Sequence, residues 1–141
     1  MEKISDASKG GAIQQSLKKT AKALTASEKA FQVYAENMAN AETVGPKNNV
    51  YKRKVPVETE RRDFRTGETY HKVKVKSKPG VEKIHNPGHP YADDEGFIYK
   101  PKINSFLEMV EMMEQKKKHD KLTKSYSMAM KLRQSNLDIL R

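Results

Sequence analysis

The chain has no cysteine among its 141 residues, which excludes disulfide bridges and thiolate metal sites. Aromatic residues make up only 7% of the sequence. No stretch approaches the roughly 20 apolar residues that a membrane-spanning helix needs. Residues 1–11 also lack the apolar core of a cleaved secretory signal. We therefore expect that any export of this chain from the cytoplasm does not use the general secretory signal.

Only 35% of the residues are hydrophobic, 33% are charged, and the mean hydropathy is −0.90. A generous core is not expected for a single chain of this composition. The formal net charge is +10, of which residues 50–83 contribute +6. This excess raises nucleic acid and anionic membrane as possible partners.

Both ends of the chain carry an apolar stripe with helical spacing. Leu17, Leu24, Phe31 and Met38 recur every seven residues, which places them on one face of a long helix. A second stripe begins near Ile103 and resumes at Tyr126. The remaining chain offers too little apolar surface to cover two such helices, so we expect neighbouring molecules to cover them. The predicted assembly interface comprises Leu17, Leu24, Phe31, Tyr34, Met38, Val110, Met113, Tyr126, Met130, Leu137 and Leu140.

These patterns predict an α+β fold with a small β-rich insert between two terminal helices that pack as a coiled-coil-like pair. The expected divisions are a mobile leader (1–10), an N-terminal helix (11–43), a β-rich and loop insert (44–102) and a C-terminal helix (103–141). Residues 71–76 alternate strictly as in a strand, and residues 63–68 are typical of a hairpin connection. Two capping boxes are predicted, Thr25 with Glu28 and Ser105 with Glu108.

The sequence offers little support for catalysis or metal binding. His85 and His89 lie near Asp93 and Asp94, but prolines 87 and 90 interrupt the segment, so no helix aligns the two imidazoles. Residues 93–96 lack the alternating oxygen ligands of a calcium loop. No nucleophile stands beside a base and no glycine-rich phosphate loop is present. We expect no enzyme activity, no cofactor and no metal.

Two segments carry a resemblance to a known family. Residues 35–43 end in Asn, Met, Ala, Asn, Ala and, two positions on, Thr, which resembles the helix-ending signature of bacterial flagellar axial proteins. Residues 51–55 are similar to the strand that follows it. Residues 85–103 resemble the Asp-Pro, His-Pro, Ala-Asp, Gly-aromatic-Val and Pro-Asn-Val run of FlgC-like proximal rod proteins. The matching positions are Asn37, Ala39, Asn40, Ala41, Thr43, Tyr51, Pro87, His89, Pro90, Ala92, Asp93, Gly96, Phe97 and Pro101.

The resemblance implies a structural subunit of the proximal rod of the flagellar basal body that polymerises through its terminal helices and transmits motor torque. It also implies export through the flagellar type III apparatus without a cleaved signal, and assembly in the periplasmic space. The implied partners are other copies of the chain, other rod proteins and the export-gate adaptor, with neither nucleic acid nor direct membrane insertion. Rod proteins usually carry a different motif where residues 114–122 are lysine-rich.

Two other functions remain as alternatives. A small basic nucleic-acid-binding protein would explain the net charge, although the lysines at 116–118 lack interleaved aromatic residues and are more typical of a solvated face. An amphipathic membrane-surface protein is the third possibility. The nearly balanced charge of the two helices argues against it.

Overall fold

The computed structural model describes the backbone of residues 2–139 and the side chains of residues 10–139. Two long helices enclose two antiparallel hairpins along the chain, which confirms the predicted α+β class. The elements are α1 (Glu2–Asn40), β1 (Arg53–Arg62), β2 (Thr69–Lys78), β3 (Val81–His85), β4 (Phe97–Pro101) and α2 (Ser105–Ile139).

The two helices pack against each other in antiparallel orientation. The Ser27 hydroxyl of α1 donates a hydrogen bond to the backbone carbonyl of Gln115 in α2, at 3.2 Å. Nearer the other end of α2, its Glu108 carboxylate accepts a hydrogen bond from Asn37, close to the end of α1. These contacts confirm that the terminal helices form a pair.

The core of the chain is small and contains no apolar residue of α2. Within residues 10–139, the buried hydrophobic residues are Leu17, Ala26, Ala30, Val33, Tyr34, Ala41, Val73, Ile98 and Tyr99. Five of these nine are alanine or valine, whose short side chains remove little area from water. The fully buried residue of α2 is a carboxylate, Glu108. Helix α2 is therefore held to its own chain mainly through polar and half-buried contacts.

The first hairpin joins β1 and β2 in a register that runs from Arg53 opposite Lys78 to Arg62 opposite Thr69. Its connection is closed by hydrogen bonds from the Asp63 amide to the Glu68 carbonyl (2.8 Å) and from the Gly67 amide to the Asp63 carbonyl (2.7 Å). The predicted connection over residues 63–68 is therefore confirmed.

A second hairpin, β3–β4, was not predicted as a pair of strands. Most turn formers of residues 85–102 lie in the connection at residues 86–96, while the apolar run that starts at Phe97 forms β4, which ends at Pro101. The hairpin is attached to the end of α1 because the Gly45 amide donates a hydrogen bond to the Tyr99 carbonyl, at 2.9 Å.

The β3–β4 connection requires a glycine at position 96. Gly96 has a φ of +80°, and a Cβ added there would lie 3.0 Å from Pro87 Cγ. We expect Gly96→Ala to lower the free energy of unfolding by about 2 kcal/mol, measured by urea denaturation. The control is Gly88→Ala in the same connection, where an added Cβ would meet nothing within 4 Å. Equal effects of the two substitutions would contradict this explanation.

Several sequence-based boundaries and caps differ from the structure. Helix α1 begins at Glu2 rather than at residue 11, so the backbone of the expected leader is helical; its mobility stays a prediction. The helix continues through Thr25, whose hydroxyl donates to the Ala21 carbonyl and caps no joint. Helix α2 begins at Ser105 rather than at residue 103. Its cap is Asn104 and not Ser105, because the Asn104 side chain accepts hydrogen bonds from the amides of residues 106 and 107.

In the described part of the chain, neither helix has the length and hydropathy required to cross a membrane.

Candidate assembly site

Five residues from α1, α2, β1 and the segment just before β1 form a polar node: Asn37, Tyr51, Arg53, Lys54 and Glu108. Asn37 is 0% exposed. Its amide nitrogen donates to the Lys54 carbonyl (2.7 Å) and to Glu108 Oε2 (2.8 Å). Its amide oxygen accepts from the Tyr51 hydroxyl (3.0 Å) and from the Lys54 amide (2.9 Å). The node therefore uses the full hydrogen-bonding capacity of the Asn37 side chain.

Glu108 is the anion of the polar node and is 1% exposed. Its second oxygen, Oε1, accepts a hydrogen bond from Arg53 Nε at 2.5 Å. A buried carboxylate is tolerated when a cation and further donors satisfy it, and Arg53 and Asn37 meet that condition. Burial, followed by the negative charges of Glu36 and Glu108, raises the pKa of Tyr51 to about 12. Tyr51 therefore stays a neutral hydrogen-bond donor.

The sequence pointed to part of this node. Asn37 was identified through the family resemblance. The backbone groups that it bonds belong to β1, and its contact with α2 is to the Glu108 side chain. Tyr51 was identified through the family resemblance. Arg53 and Glu108 were not identified as partners of Asn37. The available signal was an acidic residue inside the apolar run that starts at Phe106.

The other residues of the first motif have more local roles. Ala41 is buried, whereas Ala39 and Thr43 are exposed. Asn40 donates a hydrogen bond from its side-chain nitrogen to the Glu36 carbonyl, at 2.8 Å, within its own helix. The two asparagines of the motif therefore differ: Asn37 connects three elements and Asn40 supports the last turn of α1.

The second motif forms the connection between β3 and β4, and Asp93 organises it. Asp93 Oδ1 accepts hydrogen bonds from the amides of Phe97 (2.8 Å) and Glu95 (3.1 Å), and Oδ2 accepts from the Tyr99 hydroxyl (2.8 Å). The Phe97 amide, followed by the Tyr99 hydroxyl, lowers the pKa of Asp93. The same hydrogen bond to Asp93 raises the pKa of Tyr99. Asp93 thus ties the connection to the first residues of β4.

The remaining motif residues pack around this connection. His89 Nδ1 accepts a hydrogen bond from the Tyr91 amide (3.1 Å), and the Ala92 amide donates to the His89 carbonyl (2.9 Å). Lys83 Nζ lies 3.9 Å from the centre of the Phe97 ring. Pro101 is fully buried and Pro90 is exposed. In the part of the chain that the structure describes, no three histidines or carboxylates gather as a metal site.

Helix α2 turns apolar residues away from the rest of its chain. The 3.6-residue repeat of a helix places six large hydrophobic residues on the side roughly opposite Glu108, and all are exposed. The side that faces α1 instead carries Glu108, Gln115, His119 and Leu122, buried or half-buried. We call the six residues the outward face of α2: Phe106, Val110, Met113, Met128, Leu132 and Ile139.

The eleven residues of the predicted assembly interface fall into distinct groups. Val110, Met113, Met130 and Leu137 are exposed, and Leu24, Phe31, Met38 and Tyr126 are half-buried. Leu17 and Tyr34 are buried in the core of their own chain. These two side chains therefore have little surface left for another molecule. Leu140 lies outside the described residues.

No family model matches the chain. Curated relatives do match it. The flagellar basal-body rod protein FlgC of Agrobacterium fabrum is 31% identical over 118 residues, which cover 79% of this chain and 83% of the relative. FlgC of Aquifex aeolicus is 30% identical over 96 residues, covering 67% and 72%. FlgC of Salmonella typhimurium is 34% identical over 96 residues, covering 64% and 70%.

The similarity to the first of these relatives extends over most of both chains. The two terminal helices and both motif segments also have defined positions in the fold. The chain belongs to the FlgC family of flagellar basal-body rod proteins.

Proposed function

We propose that this protein is a structural subunit of the proximal rod, that it polymerises through its terminal helices, and that it transmits motor torque through the resulting contacts. The names of its relatives support a place in the basal-body rod. The single observation that supports polymerisation most directly is the exposure of the outward face of α2. Phe106, Met113 and Met128 are 65%, 52% and 69% exposed on a helix that contributes no apolar residue to the core described here.

The outward face has the composition of a surface that packs against another helix. Burying apolar area contributes roughly 25 cal/mol per Å², so covering six large side chains is a strong driving force for association. Its residues form two apolar patches, at 106–113 and 128–139, which Lys117, Lys121 and Lys124 separate on the same side of the helix. Within each patch the residues recur at the spacing with which helices pack side by side. A neighbouring helix of the same or a related subunit is therefore the partner that fits it best.

A second surface lies between the two helices of the same chain. A groove of about 390 Å³ is lined by Ser27, Phe31, Gln32, Lys116 and His119, among others. The groove and the outward face are different surfaces, so a contact that joins one to the other is head-to-tail. Contacts of this kind that do not close into a ring generate a helical filament. Many such contacts around a tube would share the torque.

The same proposal includes the route and the partners of the subunit. We propose export through the flagellar type III apparatus without signal cleavage, assembly in the periplasmic space, and contacts with other rod proteins and with the export-gate adaptor. The small core supports this route, because a chain with few buried apolar residues unfolds at low cost. Binding to neighbours would then add the missing stability.

The experiment is to delete the gene and to purify detergent-resistant basal bodies with and without a tagged copy. The proposal predicts that the tagged chain copurifies with basal bodies, and that its deletion stops assembly at the base of the rod and abolishes motility. Complete rods assembled without the chain would overturn it. Recovery of the chain only in the cytoplasm would do the same.

A further inference from the structure

The connection of the first hairpin presents an aromatic residue that no other part of the described chain covers. Phe64 is 100% exposed. It stands between β1 and β2, in the turn that Asp63 closes through hydrogen bonds with the backbone amides of Arg65 and Thr66. The ring is therefore held at the end of a well-formed hairpin. It serves no packing role in its own chain.

Basic residues from two parts of the chain lie near this end of the hairpin. Two contacts bring the end of the hairpin beside α1: the Gln15 side chain donates to Glu68 Oε1 (3.2 Å), and Lys22 Nζ lies 4.0 Å from the centre of the Tyr70 ring. The seven exposed cations in this region come from the hairpin and from the facing side of α1. Together with Phe64 we call them the basic tip: Arg61, Arg62, Arg65, Lys72, Lys18, Lys19 and Lys22.

The basic tip stays positively charged, because its seven cations outnumber the three neighbouring carboxylates Glu60, Asp63 and Glu68. Within the described residues, none of the seven cations forms an ion pair with a carboxylate. The two nearest acidic side chains of the hairpin connection, Asp63 and Glu68, accept hydrogen bonds from Arg65, Thr66 and Gln15. A cluster of this kind creates a positive potential that reaches about a Debye length into the solvent, about 10 Å at moderate salt.

We infer that the basic tip docks on the surface of a bilayer that contains anionic phospholipids. The Phe64 ring enters the boundary between headgroups and acyl chains, and the guanidinium groups of the neighbouring arginines bind lipid phosphates. Each basic residue near an anionic surface strengthens the attraction. Because the contact is made by a hairpin connection, the chain touches the membrane surface without spanning it.

The geometry favours a bilayer over a nucleic acid. Proteins that bind single strands use grooves in which several aromatic rings alternate with cations. Here one ring projects from a convex end, and Lys22 already covers the neighbouring aromatic ring of Tyr70. The near-neutral charge of the helices argued against a membrane contact in the sequence. The structure instead gathers the cations of residues 18–22 and 61–72 on one surface, away from the outward face of α2.

The test uses the full chain in vesicle flotation, with phosphatidylcholine alone or mixed with phosphatidylglycerol. We expect binding only to the mixed vesicles, weakened by added NaCl. Phe64→Ala should lower the partition coefficient roughly 10-fold. The triple variant Arg61→Gln, Arg65→Gln and Lys72→Gln should lower it roughly 100-fold. Circular dichroism checks that each variant is folded.

The matched control removes three charges elsewhere, as Lys47→Gln, Lys52→Gln and Lys102→Gln, all exposed and outside the basic tip. This variant has the same net charge as the first triple variant, and we expect it to retain vesicle binding. An equal loss in both triple variants would overturn the inference, because binding would then follow net charge alone. Binding that is insensitive to Phe64→Ala and is competed fully by double-stranded DNA would overturn it as well. Since flotation is done on unassembled chain, either result is independent of the rod proposal.

Discussion

Asn37→Ala is expected to lower the free energy of unfolding by about 3 kcal/mol. The substitution removes four hydrogen bonds at a site that is 0% exposed. It leaves the Lys54 amide and carbonyl and the Tyr51 hydroxyl without their partner, and a buried group that loses its partner costs about 1–3 kcal/mol. It also removes one of the two protein donors that hold the buried carboxylate of Glu108. The polar node should therefore account for a large share of the stability of this small fold.

The measurement is urea denaturation followed by circular dichroism, with Asn40→Ala as the matched control. Both are asparagine-to-alanine changes in the last turn of α1, but Asn40 bonds only the Glu36 carbonyl of its own helix. We expect Asn40→Ala to change the free energy of unfolding by less than about 1 kcal/mol. If both variants had the same free energy of unfolding, this would contradict the claim that the polar node holds the two helices and β1 together.

Met113→Asp is expected to abolish incorporation into the rod while leaving the single chain folded. Met113 is 52% exposed, so a carboxylate there remains solvated in the free chain. In a helix contact between subunits the same carboxylate would be buried without a partner, which costs several kcal/mol and weakens the contact by at least about 100-fold. The measurements are motility, recovery of the variant in purified basal bodies, and the melting temperature of the purified chain.

Ser127→Asp is the control for this substitution. Ser127 is exposed on the same helix but lies on a different side from the neighbouring residues of the outward face, and the change adds the same charge. We expect normal incorporation and motility. The role of the outward face would be refuted by full incorporation of Met113→Asp. A loss of folding in the free chain would instead mean that Met113 stabilises its own subunit.

Hydrophobic periodicity predicted that the ends of the chain are helices, but not which molecule covers each face. Val110 and Met113 were correctly assigned to an apolar stripe. The side of α2 that meets α1 is, however, built around Glu108, Gln115 and His119. A pattern along one helix has no information about the polar partners that a distant segment supplies.

The remaining features depend on contacts between residues that are far apart in sequence. Asn37 and Glu108 are 71 positions apart, and no local pattern links them. The second hairpin was missed because the turn formers that flank Phe97 outweighed its short apolar run. The basic tip was missed for a related reason: the cations of α1 and of the hairpin form one cluster only when the hairpin lies along the helix.

The central claim is that another molecule covers the outward face of α2. The chain has no cysteine, so Met113→Cys introduces a single thiol at that face, and Ser127→Cys introduces one outside it. The decisive measurement is the rate of maleimide labelling in the dilute chain and in purified basal bodies. We predict that both thiols react rapidly in the dilute chain and that only the thiol at position 113 becomes protected in basal bodies. Equally rapid labelling at position 113 in both preparations would contradict the claim.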